Sequence, residues 1–297
     1  MNVGIIGLGR MGSAIAKRLL NAGHTVIGFD SNDLTKQAAI SIGIATVDTV
    51  QDVAIKARVI WLMVPAGPIV DSVLLNLCEH LKPQDIIIDG GNSHFPDSMR
   101  RAQELSEKRI TFLDCGTSGG IHGIENGFCL MIGGDKGAYL SVTPLWDAIS
   151  VQDGYAYVGA SGAGHYVKMV HNGIEYALMQ SYAEGLHLLH DSAFGAGVLN
   201  LQEITRIWNQ GSIIRSFLLE LTGNIFAKDQ SLIHTSGKVA QTGMGEWTVQ
   251  EAHIRKIPVP SIELAVRTRE WSQATGGNYA TKIIALLRQQ FGGHKVF

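Results

Sequence analysis

IIGLGRMGSAIA, residues 5–16, decides how the first half of this chain folds. Two isoleucines close a short apolar run, and Gly7, Gly9 and Gly12 follow in GxGxxG spacing before a helical pattern begins. Alone the spacing is weak; between a strand and a helix it marks a turn that receives a dinucleotide pyrophosphate. Gly7 permits the tight turn, Gly9 lets the pyrophosphate approach the backbone, and Gly12 permits close packing of helix on strand. Leu8, Arg10 and Met11 fill out the turn and share its candidate role in cofactor binding. Free N–H groups at the helix start face the phosphates. HTVIGFD (24–30) is the next strand-like run, and Asp30 ends it 18 residues after Gly12. A carboxylate there suits the adenosine ribose 2′-hydroxyl. A 2′-phosphate would meet its negative charge, and SNDLTK brings no arginine to compensate. NAD is therefore expected over NADP. The alternative is a glycine turn that binds nothing, with Asp30 as a helix cap.

Working outward, VIWLMVP (59–65), DIIIDGG (85–91), TFLDCG (111–116) and FCLMIGG (128–134) are short aliphatic runs closed by glycine, proline or aspartate. Runs of this kind separated by helical segments predict a mostly parallel sheet buried on both faces. The expected fold is α/β: a Rossmann-like domain over 1–160, then an all-α domain over 161–297. Helices are expected at 164–191, 199–223, 246–256, 261–274 and 278–290. Ligands bind at the carboxyl edge of such sheets. Val64, Pro65 and Ala66 after the fourth strand, Asn92 in GGNS, and Ser118, Gly119 and Gly120 in GTSGG all fall there. Each also has an ordinary reading, an Asx-turn for Asn92 and a plain glycine turn for Gly119 and Gly120.

Composition narrows the function classes. The 297 residues are 45% hydrophobic and 17% charged, with a formal net charge of -2, which argues against a nucleic-acid surface. Three cysteines without a CxxC pair fit a reducing compartment. The eleven histidines form no HExxH or similar spacing, so no metal is expected. No signal peptide and no membrane span are expected, which points to a cytoplasmic protein.

The stretch KMVHNGIEY (168–176) is unusual for an otherwise apolar helix. Lys168, His171, Asn172 and Glu175 stand at i, i+3, i+4 and i+7 and so share one face. Lys168 and Glu175 are about 10 Å apart along the axis. One base and one acid at that spacing offer proton transfer at two points of a bound substrate. The bland reading is a charge pair on a solvated surface, with His171 as a satisfied core histidine.

GLGRMG, VPAG (64–67), GGNS (90–93), GTSGG (116–120) and KMVHNGIEY together resemble the 6-phosphogluconate dehydrogenase family, the decarboxylating enzymes. IWNQGSIIRSFLLEL (207–221) and LLRQQFGGH (286–294) extend the resemblance from residue 3 to residue 295. The length resembles the short form that lacks a duplicated helical half. The resemblance implies NAD-dependent oxidation and decarboxylation of 6-phospho-D-gluconate to ribulose 5-phosphate. It makes Lys168 the base and proton shuttle and Glu175 the acid. Lys168 must then start neutral, below the free value of about 10.4. His171 and Asn172 would hold sugar hydroxyls, Asn92 would lie between nicotinamide and substrate, and Ser118–Gly120 would hold the carboxylate. Tyr176, Arg269 and Arg288 match phosphate contacts, although the match at Arg269 could slip to Arg267. His294 matches a tail residue that reaches a neighbouring subunit, so a homodimer or homotetramer is implied, with Arg288 and His294 completing the partner's pocket. QTGMGEWT (241–248) departs from the family, with Thr242 and Met244 where longer members carry a lysine and a threonine; Lys238 is a candidate substitute. The rival is another β-hydroxyacid dehydrogenase, acting on 3-hydroxyisobutyrate or tartronate semialdehyde without decarboxylation.

Overall fold

The computed structural model describes residues 1–296. The chain divides into two compact units, Met1–Met169 and the part from Val170 onward.

The first unit is built on eight strands: β1 (Asn2–Ile6), β2 (Thr25–Phe29), β3 (Ala45–Thr46), β4 (Val59–Leu62), β5 (Ile86–Asp89), β6 (Thr111–Ser118), β7 (Phe128–Gly134) and β8 (Ser150–Gly159). They form one sheet in the order β3-β2-β1-β4-β5-β6-β7-β8. All neighbours run parallel except β6 and β7, which pair antiparallel from Leu113↔Gly134 to Ser118↔Cys129. Side chains alternate between two cores, as the period of a strand requires. Val3, Ile5, Trp61 and Ile88 enter one; Ile6, Ile60, Leu62 and Ile87 enter the other. That is why VIWL and the three isoleucines of IIID read as unbroken apolar runs.

Eight helices connect the strands: α1 (Arg10–Asn21), α2 (Asp33–Ser41), α3 (Val50–Lys56), α4 (Pro68–Cys78), α5 (Phe95–Ser106), α6 (Gly120–Asn126), α7 (Lys136–Ser141) and α8 (Thr143–Ile149). The strand order reverses between β1 and β4, the place where such sheets open a crevice at their carboxyl edge. β8 was not legible as a strand. Most of its residues are exposed or half-buried, it is an edge strand, and two irregularities break its register with β7. Tyr155 and Tyr157 nevertheless pair with Leu130 and Ile132.

Helix α9 (Ala163–His190) is 28 residues long and contains the unit boundary. The second unit continues with α10 (Leu201–Trp208), α11 (Phe217–Phe226), α12 (Met244–Arg255), α13 (Pro260–Thr275) and α14 (Tyr279–Gly292). Its core joins Met179, Ala183 and Leu186 of α9 to Leu221, Ile225, Ala265, Ile283 and Leu287. A small antiparallel hairpin, β9 (Asp191–Ser192) with β10 (Gly195–Ala196), interrupts the otherwise helical unit. The helix expected over 199–223 is two helices. Asn209 Oδ1 accepts the Ser216 N–H at 2.9 Å, and Ser216 Oγ then caps α11 by accepting from Leu219 N–H. Those side-chain bonds stop one helix and start another. No helix among the described residues is long and apolar enough to cross a membrane.

Candidate active site

In the first unit the glycine turn carries the conformation its sequence demands. Gly7 has φ 93°, and a Cβ there would lie 2.4 Å from Met63 O. A Cβ on Gly12 would lie 1.9 Å from Gly7 O. Gly9 differs: a Cβ on it would meet nothing within 4 Å. The protein's own packing therefore does not require glycine at 9, whereas a phosphate approaching the backbone does. The N-cap of α1 is Gly9, which brings no side chain to the first turn, the end of a helix that favours an anion.

Asp30 is tied to this turn. Its Oδ2 accepts the Leu8 N–H at 2.8 Å and its Oδ1 accepts the Asn32 N–H at 2.9 Å. Asn32, not Asp30, caps α2. Leu8 has its side chain in the core, and its carbonyl accepts from Ser13 Oγ at 2.6 Å, so its part is to shape the turn. Arg10 is exposed, Met11 packs partly on the core, and Val64, Pro65 and Ala66 follow β4 at the same edge.

Asn92 is neither a free amide nor an Asx-turn. With φ 55° it turns its side chain onto Thr117, donating from Nδ2 to Thr117 O at 3.1 Å and accepting the Thr117 N–H on Oδ1 at 2.8 Å. This pair fixes the end of β6, where Ser118 leads into Gly119 (φ 127°) and Gly120 (φ 53°). Those positive φ values explain both glycines. Lys168 is 5% exposed, and its Cβ lies against Gly116 of β6.

Buried charges that the sequence reading passed over brace these loops. Asp89 accepts from Ser93 Oγ at 2.7 Å and from Gly91 N–H at 3.0 Å. Arg101, fully buried, donates from Nε to Asp71 at 2.8 Å and from Nη2 to Gly67 O at 3.0 Å. Its Nη1 lies 3.6 Å from Asp89. One guanidinium thus connects the VPAG loop to the strand that leads into GGNS. The sequence signal was present: IIID and SMRR place charges inside apolar patterns.

In the second unit, His171 Nδ1 lies 2.9 Å from Asn172 Oδ1 and 3.9 Å from Glu175 Oε2. Asn172 Nδ2 donates to Met244 Sδ at 2.9 Å, so Met244, in the loop that departs from the longer members, supports a polar residue. Tyr176 is buried, and its hydroxyl accepts from Thr242 N–H at 3.5 Å. The Arg269 guanidinium lies over the Tyr176 ring, with Cζ 3.2 Å from the centroid. Arg269 is 2% exposed, and its Nη1 and Nη2 have no hydrogen-bond partner among the described residues. Burial pushes this group down to about 10; Tyr176 opposes the shift, Arg288 adds to it and Glu175 opposes it. Arg288 is likewise pushed down by burial, against Tyr176 and Glu175.

Arg267 is 76% exposed and Arg269 2%, so burial distinguishes the two arginines of RTRE. Arg288, which the resemblance assigns to a partner's pocket, is buried within its own chain. His294 packs edge-on against Phe291 at 6.5 Å between centroids. Lys238 is exposed. Gln241 in the divergent loop buries an Oε1 without a hydrogen-bond partner among the described residues.

With this geometry in hand, comparison places the chain among known proteins. Residues 2–159 match the model for the NAD binding domain of 6-phosphogluconate dehydrogenase, and residues 164–291 match the model for its C-terminal domain. The chain is 45% identical, over all its length and 98% of the relative, to the "6-phosphogluconate dehydrogenase, NAD(+)-dependent, decarboxylating" of Haloferax volcanii. The Plasmodium falciparum 6-phosphogluconate dehydrogenase structure superposes with TM-score 0.83 at 32% identity, covering 92% of this chain and 62% of that one. A 3-hydroxyisobutyrate dehydrogenase from Salmonella typhimurium shares the fold at TM-score 0.79 and 20% identity, covering 96% of this chain and 99% of that one.

Proposed function

The chain belongs to the 6-phosphogluconate dehydrogenase family, and from that premise we infer that it oxidises and decarboxylates 6-phospho-D-gluconate to ribulose 5-phosphate and carbon dioxide with NAD. The observation that carries the substrate choice is the buried pair Arg269 and Arg288 beside Tyr176. Burying two cations, one with both terminal nitrogens unpartnered, is costly unless an anion completes them. A guanidinium fork fits phosphate. A substrate without phosphate, as in the rival dehydrogenases, gives this pair nothing to hold.

The residues present fit NAD. Gly9 leaves room at the backbone and brings no side chain to the first turn of α1, and Asp30 keeps a carboxylate at the turn for a ribose hydroxyl. When bound, NAD supplies the acceptor for the hydride from C3. Lys168 takes the C3 hydroxyl proton as that hydride leaves. It then returns a proton to the keto oxygen, which lets the carboxylate depart as carbon dioxide. Glu175 protonates C1 of the five-carbon enediol. His171 and Asn172 hold hydroxyls, Ser118, Gly119 and Gly120 hold the carboxylate, and Tyr176, Arg269 and Arg288 hold the phosphate. Asn92 serves by fixing Thr117 and presenting its remaining N–H to the substrate.

The enzyme works in the cytoplasm, as a homodimer or homotetramer in which His294 serves a neighbouring copy. Support comes from the apolar residues exposed on the second unit, Leu188, Phe194 and Ile213 among them. Mixing Lys168→Ala with His294→Ala chains should restore part of the activity that each lacks; no restoration would confine His294 to its own chain.

A substrate panel tests the whole reading. Purified protein with NAD is offered 6-phosphogluconate, gluconate and 3-hydroxyisobutyrate, and NADH and carbon dioxide are both measured. Equal yields of the two from 6-phosphogluconate alone are expected; NADH from 3-hydroxyisobutyrate without carbon dioxide would replace this reading with the rival.

A further inference from the structure

Asp114 lies within β6, fully buried, in a stretch that reads as plain strand. Both of its oxygens are used on the start of α9. Oδ1 accepts the Gly162 N–H at 2.7 Å, and Oδ2 accepts the His165 N–H at 2.9 Å. A carboxylate suits this place twice over. It offers two acceptors to two N–H groups, and its charge faces the positive end of the helix dipole.

The turn so capped rests directly on the sheet backbone. A Cβ on Gly164 would lie 2.4 Å from Met131 O and 2.5 Å from Asp114 O. A Cβ on Gly116 would lie 2.5 Å from Lys168 Cβ. Farther round the same turn, the buried His165 ring meets Ser98 Oγ of α5 at 2.7 Å. These contacts leave Lys168 only its side-chain torsions. Its Cβ is fixed to the backbone of β6, the strand that continues into Ser118.

We propose that Asp114 is a positioning residue for the reaction: by stapling the first turn of α9 to β6 it sets where the Lys168 amine is delivered. This rests on Lys168 being the base. The carboxylate touches neither substrate nor cofactor and acts only through the helix. Asparagine cannot replace it, because one acceptor would be lost and an NH2 group would oppose a backbone N–H.

The test uses the full-length enzyme with three variants, Asp114→Asn, Gly116→Ala and Lys168→Ala. Asp114→Asn removes half the staple, while Gly116→Ala keeps Asp114 and crowds both Lys168 and the Gly164 carbonyl of the stapled turn. Displacing a reacting group by about 1 Å costs on the order of a hundredfold in rate. Both Asp114→Asn and Gly116→Ala should therefore lose roughly that much in kcat, while NAD affinity, read by quenching of protein fluorescence, stays at the wild-type value. A merely structural role would lower kcat and the NAD-binding fraction together as protein unfolds. That outcome, or wild-type kcat in either folded variant, overturns the proposal. If Asp114→Asn does not fold, Gly116→Ala alone decides. Lys168→Ala separates the two levels of argument: turnover retained there removes the base itself and the staple's purpose with it. Loss there, beside wild-type kcat in the other two, removes only the staple.

Discussion

The guanidinium of Arg269 stacks on the ring of Tyr176, Cζ to centroid 3.2 Å, with neither side chain more than a few percent exposed. The contact orients the fork from one side and is itself favourable. It does not satisfy the terminal nitrogens. Burial, not the ring, dominates the downward push to about 10; at any working pH the group remains charged.

The first prediction follows. Arg269→Met should melt at a higher temperature than the wild type, because an incompletely paired buried cation is replaced by an apolar chain of similar length. The same change should raise KM for 6-phosphogluconate ten- to a hundredfold, the equivalent of about 1.5–3 kcal/mol for a charged hydrogen bond. Inorganic phosphate should raise the melting temperature of the wild type and not of the variant. A variant that melts lower and still responds to phosphate would take Arg269 out of the phosphate site.

A second concerns Asp30, which both braces Leu8 and confronts the cofactor. Asp30→Asn keeps an acceptor for the Leu8 N–H and removes the charge. NADP should then be used at least tenfold better, with NAD use only modestly weakened, since relieving one like-charge contact is worth about 1 kcal/mol or more. Asp30→Ala should weaken both cofactors, because the turn loses its brace. Steady-state kinetics with each cofactor distinguishes them, and an unchanged NAD/NADP ratio in Asp30→Asn would show that the charge plays no part.

How much of this was legible depends on where each signal is written. Gly7, Gly9 and Gly12, the apolar strands and the face of α9 are local patterns of known period, and the fold follows them. β8 was hidden because an edge strand buries one face only in part. The two-helix form of 199–223 turns on Asn209 reaching Ser216, seven residues on, which no helical periodicity reports. Arg269 and Arg267 are equivalent as letters and differ only in burial, a tertiary fact. Asp89 and Asp114 were visible as charges in apolar strand runs, and Arg101 as a charge on a helix, but nothing local marks what they bind. Arg101 meets Asp71 30 residues away, and Asp114 meets Gly162 and His165 48 and 51 residues away.

A third prediction uses the pH dependence of that brace. Hydrogen bonding to Arg101 holds the Asp71 carboxyl down at about 2, with burial opposing and Arg100 assisting. A carboxyl depressed in the folded state stabilises above its unfolded value, near 3.8, and that contribution fades as pH falls toward 2. Melting temperature should therefore fall more steeply between pH 4 and 2 in the wild type than in Asp71→Asn. Because Asp71 is 39% exposed, the difference should be small and should shrink further in high salt. Parallel curves would mean that Asp71 titrates alike in both states.

The fourth prediction isolates Glu175. If this carboxyl protonates C1 after carbon dioxide has left, its removal cannot slow the steps before. Glu175→Gln keeps the shape and a donor but cannot release a proton at working pH. Rapid mixing of the variant with NAD and 6-phosphogluconate should form about one NADH per site at the wild-type rate, followed by turnover slower by two or more orders of magnitude, the usual range for a lost general acid. His171, 3.9 Å from this carboxylate, should be unable to substitute for it. Carbon dioxide in the first turnover should match NADH. A variant that shows no burst would place Glu175 at or before hydride transfer, and the division of labour along α9 between Lys168 and Glu175 would have to be redrawn.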